Sequence, residues 1–309
     1  MKLGIASLLI FAFLTAGFCG EPPDYGLTPR PIAPDTYVLE GSIEHFSRDN
    51  GGNILNTGFI VTASGVVVID TGPSRLYGEQ LKQAIAEVTD RPIIRIYITH
   101  HHPDHFLGNQ AFSTHDIWAL ADTIHAAKEE GEGLSENMYL LVGDWMLGTE
   151  VVPPNIVAES ETIMVDGHQL ELLALSGHTG ADLVIFDRTT GVLFAGDLVF
   201  NQRTPTTPHA DIPTWLRSLE RLKQTKFSLL VPGHGPVATD MEPIDATADY
   251  LRWLDGALRQ AAERGMAPAE VLDLKVPERF QHLSVLRQEV RRSVTHLYAT
   301  MENAALGVE

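Results

Sequence analysis

Between Thr99 and Gly108 the chain reads Thr-His-His-His-Pro-Asp-His-Phe-Leu-Gly, four histidines and one carboxylate within six positions, directly after the apolar run Ile93 to Ile98. Imidazoles this crowded repel one another once protonated, whereas neutral ring nitrogens are good zinc donors at about 2.0–2.1 Å. The segment therefore demands a fold that holds a loop at a strand end, where alternate side chains converge. His100 and His102 are set to point one way, leaving Asp104 and His105 for a second ion. The single cysteine, Cys19, excludes an internal disulfide framework and any Cys-rich zinc cluster, so a metal site here must use His and carboxylate donors.

Three further motifs each follow an apolar strand and carry one potential ligand on a turn: Ser176-Gly177-His178-Thr179-Gly180, Ala195-Gly196-Asp197 and Pro232-Gly233-His234-Gly235-Pro236. A lone His beside Gly means little; a His cluster plus three ligand-bearing turns can assemble a binuclear site in a cleft. Asp70, in Val68-Ile69-Asp70-Thr71-Gly72, is either a turn-former or a support behind the ligands. His45, His115, His125, His168, His282 and His296 have no motif partners and read as ordinary structural or surface histidines.

β-branched runs at Thr36–Leu39, Ile54–Val61, Val66–Ile69 and Ile93–Ile98 alternate with a helical stretch whose Leu81, Ala84, Ile85 and Val88 share a face. The second half repeats this plan: strands at Glu171–Leu175, Leu183–Phe186, Val192–Ala195 and Ser228–Val231, with a helix carrying Trp215, Leu216, Leu219 and Leu222. Two similar halves predict an α/β architecture of two packed sheets with helices outside. From Pro243 onward, spacing such as Leu286, Val290, Val294 and Leu297 predicts a helical cap. The Gly-rich stretch Lys128–Glu150, with Met138, Tyr139, Trp145 and Met146, is either a mobile flap or core packing.

Leu3 to Phe18 is a mostly apolar run of 16 residues behind Met1-Lys2, with small residues at Thr15-Ala16-Gly17. It falls short of the roughly 20 residues that span a bilayer and reads as a secretory signal. A lipid anchor on Cys19 is the alternative, although bulky Phe18 precedes it. Residues 21–34 hold five prolines and read as an extended tether. The expected organisation is a signal peptide over 1–19, a Pro-rich tether over 20–35, a catalytic domain over 36–240 and a C-terminal helical extension over 241–309. Export places the mature protein in the periplasm, without stable membrane insertion once the signal is cleaved.

The pattern from Thr36 to Val237 resembles the metallo-β-lactamase superfamily, with its H-x-H-x-D-H signature and later His, Asp and His. The resemblance implies a four-layer αββα sandwich. It also implies that His100, His102 and His178 bind one metal, that Asp104, His105 and His234 bind a second, and that Asp197 bridges them, with His101 pointing elsewhere and Asp70 behind the ligands. Two zinc ions fit five His and two Asp, while iron and manganese share these donors. Such ions about 3.5–4 Å apart would share a hydroxide as nucleophile, with Asp104 as the catalytic carboxylate that orients it or passes on its proton. The implied reaction is hydrolysis of an ester, thioester or amide of a small molecule, β-lactams included.

Within the superfamily, Thr99-His100-His101-His102 and Ser176-Gly177-His178-Thr179-Gly180 look like glyoxalase II-type thioesterases, but His234-Gly235 departs from that branch's His-Glu ending. Asp197 stands where true metallo-β-lactamases usually have Cys or Ser. The stretch Gln202 to Asp211 together with the export signal is most similar to the quinoprotein-relay zinc metallohydrolases, which implies a link to a quinoprotein dehydrogenase system. In that loop Arg203 and His209 either face the cleft, with Arg203 clamping a substrate carboxylate, or pack structurally. The rival readings are a mononuclear iron enzyme of the persulfide dioxygenase type and a metal-binding accessory protein. A formal charge of -18 with no basic run argues against nucleic acid as a partner.

Overall fold

The four residues Val66 to Ile69 show how the layers arise. All are buried, and they alternate: Val66 and Val68 pack on one side with Tyr77, Leu81 and Met138, while Val67 and Ile69 pack on the other with Leu170, Leu183 and Phe194. A strand covered on both faces requires a layer above and a layer below. The computed structural model describes residues 23–307, so the expected signal peptide and Cys19 lie outside the described residues.

The first sheet runs β1 (Arg30–Ala33), β2 (Thr36–Glu40), β3 (Asn56–Val61), β4 (Val66–Ile69), β5 (Ile93–Tyr97), β6 (Ile117–Ala119) and β7 (Ile156–Val157), in sequence order across the sheet. Pairing is antiparallel up to β4 and parallel from β4 to β7. Its outer face carries α1 (Arg75–Val88) and α3 (Ala121–Val142); the short α2 (Pro103–Phe106) follows β5. α1 starts where Ser74 accepts a hydrogen bond from the Tyr77 N–H at 3.1 Å, a side-chain N-cap.

The second sheet has the order β12-β11-β10-β9-β8, built from β8 (Glu161–Val165), β9 (His168–Leu175), β10 (Asp182–Asp187), β11 (Val192–Phe200) and β12 (Leu229–His234). Its outer face packs on α4 (Ile212–Leu222), α5 (Glu242–Glu263) and α7 (Leu286–Leu306), with the one-turn α6 (Pro268–Val271) between the last two. Leu183, Ile185 and Phe194 face the first sheet; Val184, Phe186 and Leu193 face these helices. The result is the four-layer αββα sandwich with a C-terminal helical cap. Burying Leu219 of α4 contributes about 1.5–3 kcal/mol, and its truncation to Ala costs about 2–5 kcal/mol.

One open choice is decided and two expectations change. Lys128–Glu150 is no flap: α3 runs through Gly131 and Gly133 to Val142 and a 3₁₀ turn spans Gly143–Met146, because Ile124, Ala127, Met138 and Val142 recur on one buried face. The described part of the Pro-rich segment is not a free tether, since Arg30–Ala33 pairs with β2 and the Tyr25 hydroxyl donates to the Gly51 carbonyl at 3.0 Å. Asp197 and His234 lie within strands β11 and β12 rather than on turns beyond them.

Candidate metal centre

The loop from β5 into α2 and the ligand-bearing segments of the second sheet meet at one edge of the sandwich. His100 follows β5, His102 immediately precedes α2, and Asp104 and His105 lie on α2. The second sheet supplies His178 from the β9–β10 turn, Asp197 from β11 and His234 from the end of β12. All seven are buried. Two close groups result: His100, His102, His178 and Asp197 form one, and Asp104, His105 and His234 the other.

Local sequence explains why β11 can deliver Asp197 inward. Gly196 interrupts the register of the parallel β11–β12 pair, a bulge that re-aims the following side chain. Across from it, a Cβ on Gly233 would run into the Asp197 carboxylate, so this position must be glycine for the two strands to approach.

Asp197 stands between the groups. Its Oδ2 is 3.3 Å from His178 Nε2 and 3.1 Å from His234 Nε2, and its Oδ1 is 3.2 Å from His105 Nε2. His178 Nε2 lies 2.9 Å from His102 Nδ1, and Asp104 Oδ2 is 3.5 Å from His234 Nε2 and 3.7 Å from His105 Nε2. Donors held at 2.0–2.1 Å around a tetrahedral ion sit roughly 3.3 Å from one another, so these spacings suit shared cations. His100 Nε2, His105 Nε2 and Asp197 Oδ1 are buried with no hydrogen-bond partner, and a buried polar atom left unpaired is costly. The donor set therefore fits metal ions.

The opposite ring atoms are anchored. Asp70 Oδ2 accepts from His105 Nδ1 at 2.7 Å, while the same carboxylate accepts from the Thr99 N–H at 2.8 Å and the Thr99 hydroxyl at 2.9 Å. Asp70 holds this position in a left-handed backbone conformation, φ 59°. Asp70 thus fixes the His105 ring from the side away from the donor group. His234 Nδ1 donates to the Ile54 carbonyl at 2.6 Å, and His100 Nδ1 donates to the Thr99 hydroxyl at 3.0 Å. Such contacts fix the tautomer that leaves the inner nitrogen free.

Electrostatics divide the two groups. Burial drives His100 and His102 well below the ordinary imidazole value and His178 down to about 3, with neighbouring histidines adding to the effect. Burial opposes charge on His105 too, yet Asp197, Asp104 and Asp70 outweigh it and raise this ring well above the ordinary value. Asp197 is likewise resisted by burial, but His234, His105 and His178 hold it well below the carboxylate range.

The substrate-contact expectations fare differently. Arg203 does not stand in the cleft as a free clamp: it is buried, donates to the Thr206 hydroxyl at 3.1 Å and pairs with Glu289 of α7 at 3.5 Å. Glu289 is itself fully buried, and such a carboxylate requires a cationic partner. His209 does reach the site, where its Nδ1 lies 2.8 Å from His102 Nε2.

Several contributors escaped sequence reasoning. The indole of Trp215 packs edge-on against His178 at 4.9 Å between ring centres, and the Phe200 ring stacks on His234 at 5.1 Å. Asp182 ties the His178 turn, accepting from the backbone of His178 and from the Thr179 hydroxyl. Its place four residues after His178 was the available sign; Glu130 of α3, near His101 and His209, left none.

Comparison with known proteins points to one family. Residues 50–234 match the family described as the metallo-beta-lactamase superfamily. The chain is similar to the Beta-lactamase-like protein 2 homolog of Caenorhabditis elegans, 28% identical over 59% of this chain and 56% of that protein, so it spans only about half of that relative's length. It is 25% identical to the Acyl-coenzyme A thioesterase MBLAC2 of Homo sapiens over 59% of this chain and 74% of that one. Among solved structures, the metallo-beta-lactamase from Pontibacter korlensis shares the fold at a TM-score of 0.59 and 23% identity, covering 73% of this chain and 99% of that one.

Proposed function

The chain belongs to the metallo-beta-lactamase superfamily, and from that premise we propose that it is a binuclear zinc hydrolase cleaving an ester, thioester or amide bond of a small molecule. The carrying observation is Asp197, whose two carboxylate oxygens lie within 3.3 Å of donors from both groups. In this reading His100, His102 and His178 would hold a first ion and Asp104, His105 and His234 a second, with Asp197 available to both. When bound, the pair lowers the pKa of water toward about 7 and polarises a substrate carbonyl.

The protein's own groups do the rest. Asp70 orients His105, and the Ile54 carbonyl orients His234. Phe200 and Trp215 cover two ligand rings and keep bulk water from their flanks. Asp104, buried beside His234 and His105, is the carboxylate assigned to accept the proton that water gives up. The likeness to a protein named as an acyl-coenzyme A thioesterase supports a thioester among the candidate bonds. Export to the periplasm and a link to a quinoprotein dehydrogenase belong to the same proposal, resting on residues 1–19 and on the loop from Gln202 to Asp211.

Elemental analysis of protein purified without added metal, paired with thioester, ester, β-lactam and persulfide substrates, tests this. Two zinc ions per chain and turnover of a hydrolysable substrate are expected, with Asp197→Ala losing the second ion and about 100-fold or more of the rate while remaining folded. One iron per chain with persulfide oxygenation, or an Asp197→Ala chain as active as the parent, overturns it.

A further inference from the structure

Beside the paired donor groups, a third set converges at the rim. His101 and His209 join His102 in a close cluster of potential ligands, and Glu130 reaches in from α3. Glu130 Oε2 lies 3.4 Å from His209 Nε2 and 3.6 Å from His101 Nε2. These separations match the roughly 3.3 Å between donors around a tetrahedral ion, as in the inner groups. His101 is only 5% exposed, and its Nε2 is buried without a hydrogen-bond partner. Burying a ring nitrogen unpaired costs free energy unless something else occupies its lone pair.

We propose that His101, His209 and Glu130 form a third divalent-cation site, of the zinc class, at the mouth of the centre. Two imidazoles and one carboxylate are a zinc-type donor set, and three protein ligands leave a fourth position for water. Glu130 is half-exposed, so the site opens to solvent and fills from it, unlike the fully buried inner groups.

The position also sets the sign of its effect. His102 turns Nδ1 toward His178, so with an inner ion on Nδ1 its Nε2 would carry the hydrogen and donate to His209 Nδ1, 2.8 Å away. His209 can offer its Nε2 lone pair to a cation only in the tautomer that carries hydrogen on Nδ1, which then faces the hydrogen on His102 Nε2. The outer ion and the inner ion at His102 thus favour opposite placements of hydrogen across one contact. Occupancy of the rim opposes the inner site, so excess zinc inhibits.

Titration calorimetry of zinc into the full chain, stripped and then reloaded at the inner sites, tests the proposal. The expected result is one further binding event that disappears in both Glu130→Gln and His101→Ala while the tighter events persist. In rate assays, zinc beyond the inner requirement slows the parent and leaves Glu130→Gln unaffected. No further event in the parent, or one unchanged in either variant, overturns the site. The same event is expected to persist in Asp197→Ala, so the rim proposal and the binuclear reading fail separately.

Discussion

Two histidine–carboxylate pairs of the same geometry lie at opposite ends of the sandwich. His105 Nδ1 meets Asp70 Oδ2 at 2.7 Å, and His168 Nδ1 meets Asp187 Oδ2 at 2.7 Å. Both imidazoles are raised above the ordinary value, so neither distance nor direction of shift separates them. Their surroundings do. Asp197 and Asp104 also press on His105, whose Nε2 is left unpartnered among further ligands. Asp187 instead spends its oxygens on His168, the Thr190 hydroxyl and the Thr189 N–H, closing the β10–β11 turn. The pair alone is a staple; a surplus of carboxylate and a free ring nitrogen make it part of a cation site.

The largest difference between the ends is expected from breaking each pair by one atom. Asp70→Asn keeps the shape but removes the charge behind His105, and the affinity of the Asp104–His105–His234 group for zinc is expected to fall about 10- to 100-fold, read by competition with a chelating dye. Asp187→Asn is expected to leave metal affinity unchanged. Equal effects of the two substitutions would abolish the distinction between the two pairs.

A pH series separates the donor groups themselves. His105, raised well above the ordinary value by Asp197, Asp104 and Asp70, binds a proton more readily than the other donor rings in the metal-free protein. A cation entering its group must displace that proton, so its affinity is expected to weaken by about tenfold per pH unit on acidification. His100, His102 and His178 are lowered by burial and stay unprotonated in mild acid, so the first group retains its ion to lower pH. Simultaneous loss of both ions on acidification would contradict this ordering.

How much of this was legible in the sequence follows the same local-versus-distant divide. The candidate donor residues stand out because each sits in a short motif after an apolar run, and β4 was bounded residue for residue because four β-branched side chains lie between turn signals. The positions of Asp197 and His234 inside strands were not legible, since β11 continues through a Gly196 bulge that depends on its pairing with β12. β6 and β7 are too short to show a period, and β1, Arg-Pro-Ile-Ala, carries a proline that argues against a strand. α3 hid behind two glycines whose helix penalty is overridden by packing: a Cβ on Gly131 would meet Val151 at 2.6 Å, so the residue permits close approach there. Arg203 could not be placed, because the buried Glu289 that claims it is 86 positions away.

The smallest expected effect belongs to the staple. His168 is raised mainly by its hydrogen bond to Asp187, so its contribution is complete below the unfolded imidazole value and is lost as pH rises through the folded one. Asp187 is lowered, because His168 and Thr190 outweigh its burial, so its share is present above the unfolded carboxylate value and is lost as pH falls through the folded one. Together they give the pair its greatest weight between about pH 4 and 6.5. His168→Gln is expected to destabilise the fold by about 1 kcal/mol in that window, with a shrinking deficit above it, by denaturant titration at several pH values. The metal content should not change. A deficit that grows with pH would mean that burial of the neutral ring, and not the charged pair, holds that end of the sheet.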